Sequence, residues 1–294
     1  MRKKTYIVES YPDNQHYLIT KETINNYFIN FNTNKKKKCA VFTMIQNEPV
    51  FLPIWLKYYT KYFSEDDLFI LDHRSNDNCI VESAVKYNFN VIRLEYPFSF
   101  DHVWFKFTAE MMQATLLQHY ECVIFTDVDE ILLPDPNIYK GLDDYIFRLK
   151  NDYVKCKAYE LIHFVDKEKA FDSTKSILQQ RQYWYRFRFF DKSLVTKKPL
   201  IWTLGFHSVV NYKPRRDKNL YLIHLHKLDY SMCWQRTHER AQRRWNSEDI
   251  DNKRGWQNRI TEEKKFYKFF YNFPILATLR SRKIPDRIVK KNFF

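Results

Sequence analysis

At 294 residues, 45% of them hydrophobic, the chain can bury a full α/β core, and its 3 glycines rule out the GxGxxG and GxxxxGKS loops that cradle phosphates in dinucleotide-binding and P-loop proteins. Five scattered cysteines, Cys39, Cys79, Cys122, Cys156 and Cys233, contain no CxxC pair and exclude a zinc-type or disulfide framework, in keeping with reduced thiols. The formal net charge of +14 lies wholly in the second half, where 32 Lys and Arg face 15 Asp and Glu, against 17 and 20 in residues 1–150; such an excess suits a phosphorylated substrate, an anionic membrane face or a nucleic acid, or else a solvated basic surface.

Residues 1–36 hold short aromatic and β-branched runs broken at PDNQ, which predict a small N-terminal β extension closed by the polar NTNKKKK run. CAVFTMI (39–45) has strand length and leads into Asn47 and Glu48. The following VFLPIWLKYYTKYF predicts a helix with Phe51, Ile54, Trp55, Tyr58, Tyr59 and Tyr62 on one face. DLFILD (67–72) is a second strand, ending in Asp72 and the turn-rich HRSNDN; IVESAVKYN reads as a helix, NVIRLEYP as a third strand, and Trp104 to His119 as a long helix before a fourth strand, CVIFTD. This βαβαβαβ alternation predicts an α/β domain over residues 37–233 with a mostly parallel central sheet flanked by helices.

The fourth strand runs into VIFTDVDEILLPDP (123–136), which places Asp127, Asp129 and Glu130 at a strand end. Residues two apart on an extended chain point the same way, so Asp127 and Asp129 can converge, and two close carboxylates favour a cation between them. The alternative is a pair of solvated turn acids or helix N-caps. With Glu48 and Asp72, these make three acid-bearing strand ends on one rim, where open α/β sheets bind ligands. Further on, KCKAYELIHFV, YWYRFRFF (183–190) and LYLIHLHKLDY (220–230) read as strands, the last bearing His224 and His226 on one face, either as ligands or as a half-buried strand surface. Residues 234–294, with CWQRTHERAQRRW and EEKKFYKFFYNF, predict a basic helical C-terminal tail that packs on the domain or contacts an anionic membrane surface.

Taken in order over about residues 39–136, TMIQNEPVFLPIWLKYY, DLFILDHRSNDNC and VIFTDVDEILLPDP resemble glycosyltransferases of the A-type (GT-A) fold, in particular the family-two-like group with its DxDE motif; GFHSV (205–209) and LYLIHLHKLDY are similar to the C-terminal histidine region of those enzymes. The resemblance implies a nucleotide-diphosphate-sugar donor, with UDP the expected nucleotide, and a glycan, lipid-linked or protein acceptor, with no nucleic acid. It implies Mn²⁺ or Mg²⁺ on Asp129, Asp127 reaching the ribose or the metal shell, and His226 or His224 completing that shell. Asn47 and Glu48 would line the nucleotide pocket, Asp72, Ser75 and Asp77 would sit by base and ribose, and Lys227 would balance the diphosphate. A hard cation suits carboxylate oxygens and stabilises a diphosphate leaving group. An inverting reaction needs a carboxylate base, for which Glu160, Asp166 and Asp191 all stand as candidates, and His207 is either a substrate contact or structural.

Two other classes fit parts of the chain. FTDVDEIL also resembles the first motif of haloacid-dehalogenase-type phosphatases, although Glu130 and Ile131 depart from that motif, which normally opens its domain. The interleaved basic and aromatic residues of YWYRFRFF and the tail suit a nucleic-acid surface, but equally a glycan acceptor. No apolar run approaches ~20 residues and MRKKTYIVES lacks the apolar core of a signal peptide, so the expectation is a cytoplasmic protein, soluble or peripherally bound to a membrane.

Overall fold

The computed structural model describes residues 5–8, 17–20, 36–272 and 281–289; the rest of the expected N-terminal extension, and residues 273–280 and 290–294 of the expected tail, lie outside the described residues. Residues 1–37 form one unit, in which β1 (Thr5–Val8) and β2 (Tyr17–Thr20) pair antiparallel, Thr5 opposite Thr20. The second unit, Lys38–Phe294, carries everything that follows.

β3 (Lys37–Ile45) is buried from Cys39 onward on both faces, which is why it reads as an uninterrupted apolar run. β4 (Leu68–Asp72) and β5 (Asn90–Arg93) extend it in parallel, with Ile45 beside Asp72 and Asp72 beside Arg93. The helix α1 (Phe51–Tyr59) lays its predicted aromatic face on the sheet. Fully buried polar aromatics need partners. Trp55 Nε1 donates to Thr126 Oγ1 at 2.8 Å and the Tyr58 hydroxyl to the Leu132 carbonyl at 2.6 Å, so α1 clamps the chain on either side of the acidic turn. After α2 (Cys79–Ala84), α3 (His102–His119) starts two residues before its apolar spacing suggests, because Asp101 caps it by accepting from the Val103 and Trp104 amides.

β6 (Tyr120–Phe125) lies next to β3, and β7 (Glu130–Pro134), α4 (Leu142–Arg148), β8 (Tyr153–Ile162), α5 (Ile177–Gln180), β9 (Tyr183–Arg186), β10 (Val195–Thr196) and β11 (Arg215–Lys227) follow. The sheet order is β12-β9-β8-β10-β6-β3-β4-β5, with β12 at Arg282–Lys283 and β11 lying between β7 and β8. The result is a mixed α/β fold with a central sheet flanked by helices. The expected parallel order holds over β3, β4 and β5 and recurs between β8 and β11; the β6–β10, β10–β8, β8–β9, β9–β12 and β7–β11 pairs are antiparallel. Parallel neighbours need long crossovers, and beyond β6 the intervening helices have only 7 and 4 residues before β9.

The chain ends in α6 (Tyr230–Ala241), α7 (Ser247–Asp251), α8 (Glu263–Asn272) and α9 (Asp286–Val289). α8 buries Phe266, Phe269, Phe270 and Tyr271 in a second apolar cluster with Ile162, Tyr185 and Cys233. Its apolar stripe therefore packs against β8, β9 and α6. Among the described residues no helix is long and apolar enough to cross a membrane.

β9 stops at Arg186, short of the predicted 190, and Arg188–Phe190 turn as a 3₁₀ segment. That turn draws Asp191 inward. Its carboxylate, fully buried, accepts from the Ala158 amide at 2.9 Å and from Arg186 Nη2 at 2.7 Å, and pairs with Arg216 Nε at 2.6 Å. Removing one partner of a buried ion pair strands the others. Asp191→Ala is expected to cost on the order of 3 kcal/mol, seen as a lower urea midpoint at an unchanged slope; a loss below about 1 kcal/mol would mean that this tie does not hold β8, β9 and β11 together.

Candidate active site

A cavity of about 390 Å³ opens beyond the carboxyl ends of β3 and β6, and Glu48, Asp127, Asp129, Glu130, Glu160, His207, His224, His226, Lys227 and Arg236 are among its lining residues. β6 ends at Phe125, so Asp127 and Asp129 lie in the turn to β7 and not on an extended strand. Their carboxylates accordingly take different partners. Asp127 Oδ2 meets Lys192 Nζ at 2.6 Å, and the same ammonium lies 2.7 Å from Glu130 Oε1, while Glu130 Oε2 accepts from the Asp127 amide at 3.3 Å. Burial pushes the Glu130 carboxyl up to about 7 against the pull of Lys192, and Lys192, despite its burial, is held well above the usual range by Asp127 and Glu130.

Asp129 turns the other way, toward β11. The Leu225 amide donates to its carbonyl at 2.7 Å, pinning the turn to the strand that carries the histidines. Side chains two apart share a strand face, and the His224 and His226 rings stack with centroids 5.7 Å apart. His224 Nε2 is 3.8 Å from Asp129 Oδ1 and His226 Nδ1 is 3.6 Å from Asp129 Oδ2; one ligand atom from each of the three lies within 4.8 Å of the others. His224 Nδ1 donates to Glu160 Oε2 at 2.8 Å. A carboxylate behind the far nitrogen is the usual support of a metal-bound imidazole, and one oxygen with two imidazole nitrogens is an acceptable set for a divalent transition ion. The residues therefore fit a metal. Burial would lower the His224 pKa, but Glu160 outweighs it and holds the ring at about 9, whereas burial lowers His226.

Arg236 of α6 closes this group. Its Nη1 donates to Asp129 Oδ2 at 2.5 Å, its Nη2 and Nε reach Glu48 Oε1 at 2.9 and 3.2 Å, and its guanidinium covers the Phe51 ring at 4.5 Å. Burial works against the ionised form of Asp129, yet Arg236 and the histidines hold its carboxyl well below the usual range. Arg240 Nη2 donates to the same Glu48 oxygen at 2.7 Å, and Arg243 Nη2 to the Gln46 carbonyl at 2.7 Å. Sequence reasoning missed these arginines and Lys192. Arg236 and Arg240 are four apart and share a face of α6, with Arg243 just past its end, a spacing that a solvated basic helix shows equally.

The other expected site residues divide. Asn47, Asp72, Ser75 and Asp77 form one interlocked loop pair. Asn47 and Asn76 exchange hydrogen bonds at 2.7 and 2.8 Å, the Asn47 amide donates to Ser75 Oγ at 2.9 Å, and Asp72 accepts from the Ser75 amide at 3.0 Å and from Arg93 Nη1 at 2.5 Å. Asp77 accepts from the Cys79 amide at the start of α2, and it is His73 of this loop that lines the cavity. Of the three candidate bases, Glu160 lines the cavity, Asp191 is the buried tie described above, and Asp166 is exposed in the turn after β8. Lys227 Nζ donates to the Phe269 carbonyl at 3.3 Å, and burial lowers its ammonium to about 8. His207 lies under Phe190, ring centroids 6.3 Å apart; burial, then Lys192, lowers it to about 4, and its buried Nδ1 has no hydrogen-bond partner among the described residues. Gly205 makes room for that ring: it has φ +76°, and a Cβ there would lie 3.0 Å from His207 Cδ2.

No family model matches the chain, and a search of curated proteins finds no match. Similar solved structures include the mannosyltransferase PcManGT from Pyrobaculum calidifontis in complex with GDP-Man and Mn²⁺, at 16% identity and TM-score 0.28 over 44% of this chain and 36% of that one. Others are S. aureus TarS, at 16% and 0.31 over 80% and 44%, and S. aureus TarS 1-349 in complex with UDP, at 13% and 0.30 over 78% and 77%. The chain thus spans less than half the length of the first two. These likenesses are remote.

If Glu160 orients His224 for a cation, Glu160→Gln weakens Mn²⁺ binding by about tenfold or more, and Asp129→Asn abolishes it, both read from the electron paramagnetic resonance of free Mn²⁺. An unchanged affinity in both variants would remove the metal from this group.

Proposed function

We propose that the chain is a glycosyltransferase of the A-type fold that moves a sugar from a nucleoside-diphosphate donor, a UDP-sugar by its resemblance, to a glycan, lipid-linked or protein acceptor. The observation that carries this reading is the meeting of Asp129, His224, His226 and Arg236 in one cavity beyond the carboxyl ends of β3 and β6. That is where an open α/β sheet takes its ligand. The proposed domain spans 37–233, with 1–36 an extension and 234–294 a segment whose helix α6 reaches back into the site.

Asp129, His224 and His226 would hold Mn²⁺ or Mg²⁺, which when bound stabilises the negative charge that develops on a departing diphosphate. The remaining work belongs to the chain. Glu160 fixes the tautomer and direction of the His224 ring through Nδ1. Lys192 sits between Asp127 and Glu130 and keeps two neighbouring acids compatible. Asp127 is the acid of this turn that faces open space, its side chain 31% exposed against 7% for Asp129, which suits a hydroxyl of the ribose or of the acceptor. Arg236 and Arg240 present positive charge along the same wall, fixed before any ligand arrives.

A thermal-shift panel of UDP, GDP and CMP and their sugars, with and without Mn²⁺, tests the reading on wild type and Asp129→Ala. A ligand at ~100 times its Kd adds about 2.7 kcal/mol of apparent stability. The expected outcome is that UDP stabilises the wild type most with Mn²⁺ and that Asp129→Ala loses the metal-dependent part. A panel in which no nucleotide shifts the wild type under either condition ends this proposal.

A further inference from the structure

Arg236, Arg240 and Arg243 form an arginine stripe in the wall of the cavity: Arg236 and Arg240 sit one turn apart on α6, and Arg243 follows in the bend just past its end at Ala241. Among the described residues, the carboxylates that form ion pairs with this stripe are Glu48 and Asp129, and a single oxygen, Glu48 Oε1, serves both Arg236 and Arg240. Arg243 points its Nη2 at a neutral carbonyl, that of Gln46. Three guanidiniums therefore face two carboxylates. In addition, Arg240 Nε is buried with no hydrogen-bond partner among the described residues, although Nη1 and Nη2 of the same group are used on Asn258 and Glu48. Buried cationic donors left without acceptors are costly unless something anionic completes them.

We propose that this arginine stripe is an anion-binding wall that takes a diphosphate, and that it does so without a divalent cation. The inference rests on the donor reading above and assigns the leaving group to residues of α6 and of the bend that follows it. Its place inside a cavity of about 390 Å³ selects a small anion over a nucleic acid backbone. Arg236 and Arg240 lie about 6 Å apart along the helix at 1.5 Å per residue, and Arg243 adds a third guanidinium from the bend after it; one phosphate engages part of such a group, and two joined phosphates engage more of it. Guanidinium forks suit phosphate oxygens, and charge-assisted bonds of this kind are the strong ones. Aromatic rings line the same cavity: Trp245 and Phe100 contact each other with centroids 4.9 Å apart, and Trp245 Nε1 donates to the Arg240 carbonyl at 3.0 Å. Sharing Glu48 keeps Arg236 and Arg240 in place before the anion arrives, so little ordering is left for binding to do.

The test is calorimetric titration of inorganic pyrophosphate, inorganic phosphate and UDP into the full chain in EDTA, repeated with Mn²⁺, using wild type, Arg240→Gln, Arg243→Gln and Arg243→Lys. Pyrophosphate is expected to bind the wild type in EDTA and to bind more tightly than phosphate. Each Gln variant is expected to weaken it about tenfold or more, with Arg243→Lys recovering part of the loss. Lys265→Gln, on the exposed side of α8, serves as the general charge control and is expected to leave binding unchanged. Arg243→Gln decides the matter if Arg240→Gln fails to fold, since Arg243 is outside the Glu48 pair; its melting temperature is recorded alongside. Pyrophosphate binding that appears only with Mn²⁺, or phosphate binding as tight as pyrophosphate, or equal losses in Lys265→Gln, overturns the inference while UDP binding with Mn²⁺ leaves the donor reading standing. Absence of UDP binding under both conditions removes both.

Discussion

The bond from Arg236 to Asp129 and Glu48 is the constraint on which the rest of the site depends. It joins the end of β3, the turn after β6 and the helix after β11 through a single guanidinium that is almost wholly buried. A buried charge is tolerable only when paired and hydrogen-bonded, and here the planar fork meets two carboxylates while its face rests on Phe51. Replacing any one of the three would leave the others charged in a desolvated place. The segment after 230, which looks like a peripheral basic tail in the sequence, is therefore part of the site's framework.

Around that bond the acids are kept apart. A turn that sent Asp127, Asp129 and Glu130 in the same direction would raise their pKa values together. Instead Asp127 and Glu130 share Lys192, Asp129 goes to Arg236 and the histidines, and Glu160 goes to His224. Burial lifts Glu130 to about 7 against the pull of Lys192, while Arg236 and the histidines hold Asp129 far down despite its burial. Acids in different electrostatic surroundings can take different roles in one cavity, which is how a single fold divides metal holding from proton handling.

Much of this was legible in the residues. The apolar runs located β3, β4, β5 and β6, and the pattern of acids at strand ends located the cavity; the period-two spacing of His224 and His226 put them on one face. What was not legible were partners far away in the chain. Lys192 is 65 residues from Asp127, and Arg236 is 107 from Asp129 and 188 from Glu48; neither stands in a segment whose periodicity distinguishes it from a solvated basic face. The same holds for Asp72, whose strand-end position does not reveal that Arg93 on the neighbouring β5 takes its Oδ2. The expectation that Asp127 and Asp129 point together assumed an extended strand, and β6 ends at Phe125 before either of them.

The scarcity of glycine explains why the site has this character. Phosphate loops hold anions with backbone amides, which requires glycine where the chain must bend with positive φ. Here positive φ is taken by Phe206 at 65° in the cavity wall and by Asn47 at 54° and Arg74 at 58° next to lining residues, while Gly205, also in the wall, serves the packing of His207. An anion entering this cavity would therefore meet the side chains of Lys192, Arg236 and Arg240. Long side chains lose rotamer entropy when ordered, more than a backbone amide already fixed by its loop. The structure offsets this by immobilising the cationic groups on acids of the protein itself, Arg236 and Arg240 on Glu48 and Lys192 on Asp127 and Glu130. On the proposed reading, the ion pairs that look like internal stabilisation would act as preorganisation, in a cavity rich in charge of both signs within a chain that has almost no glycine to give.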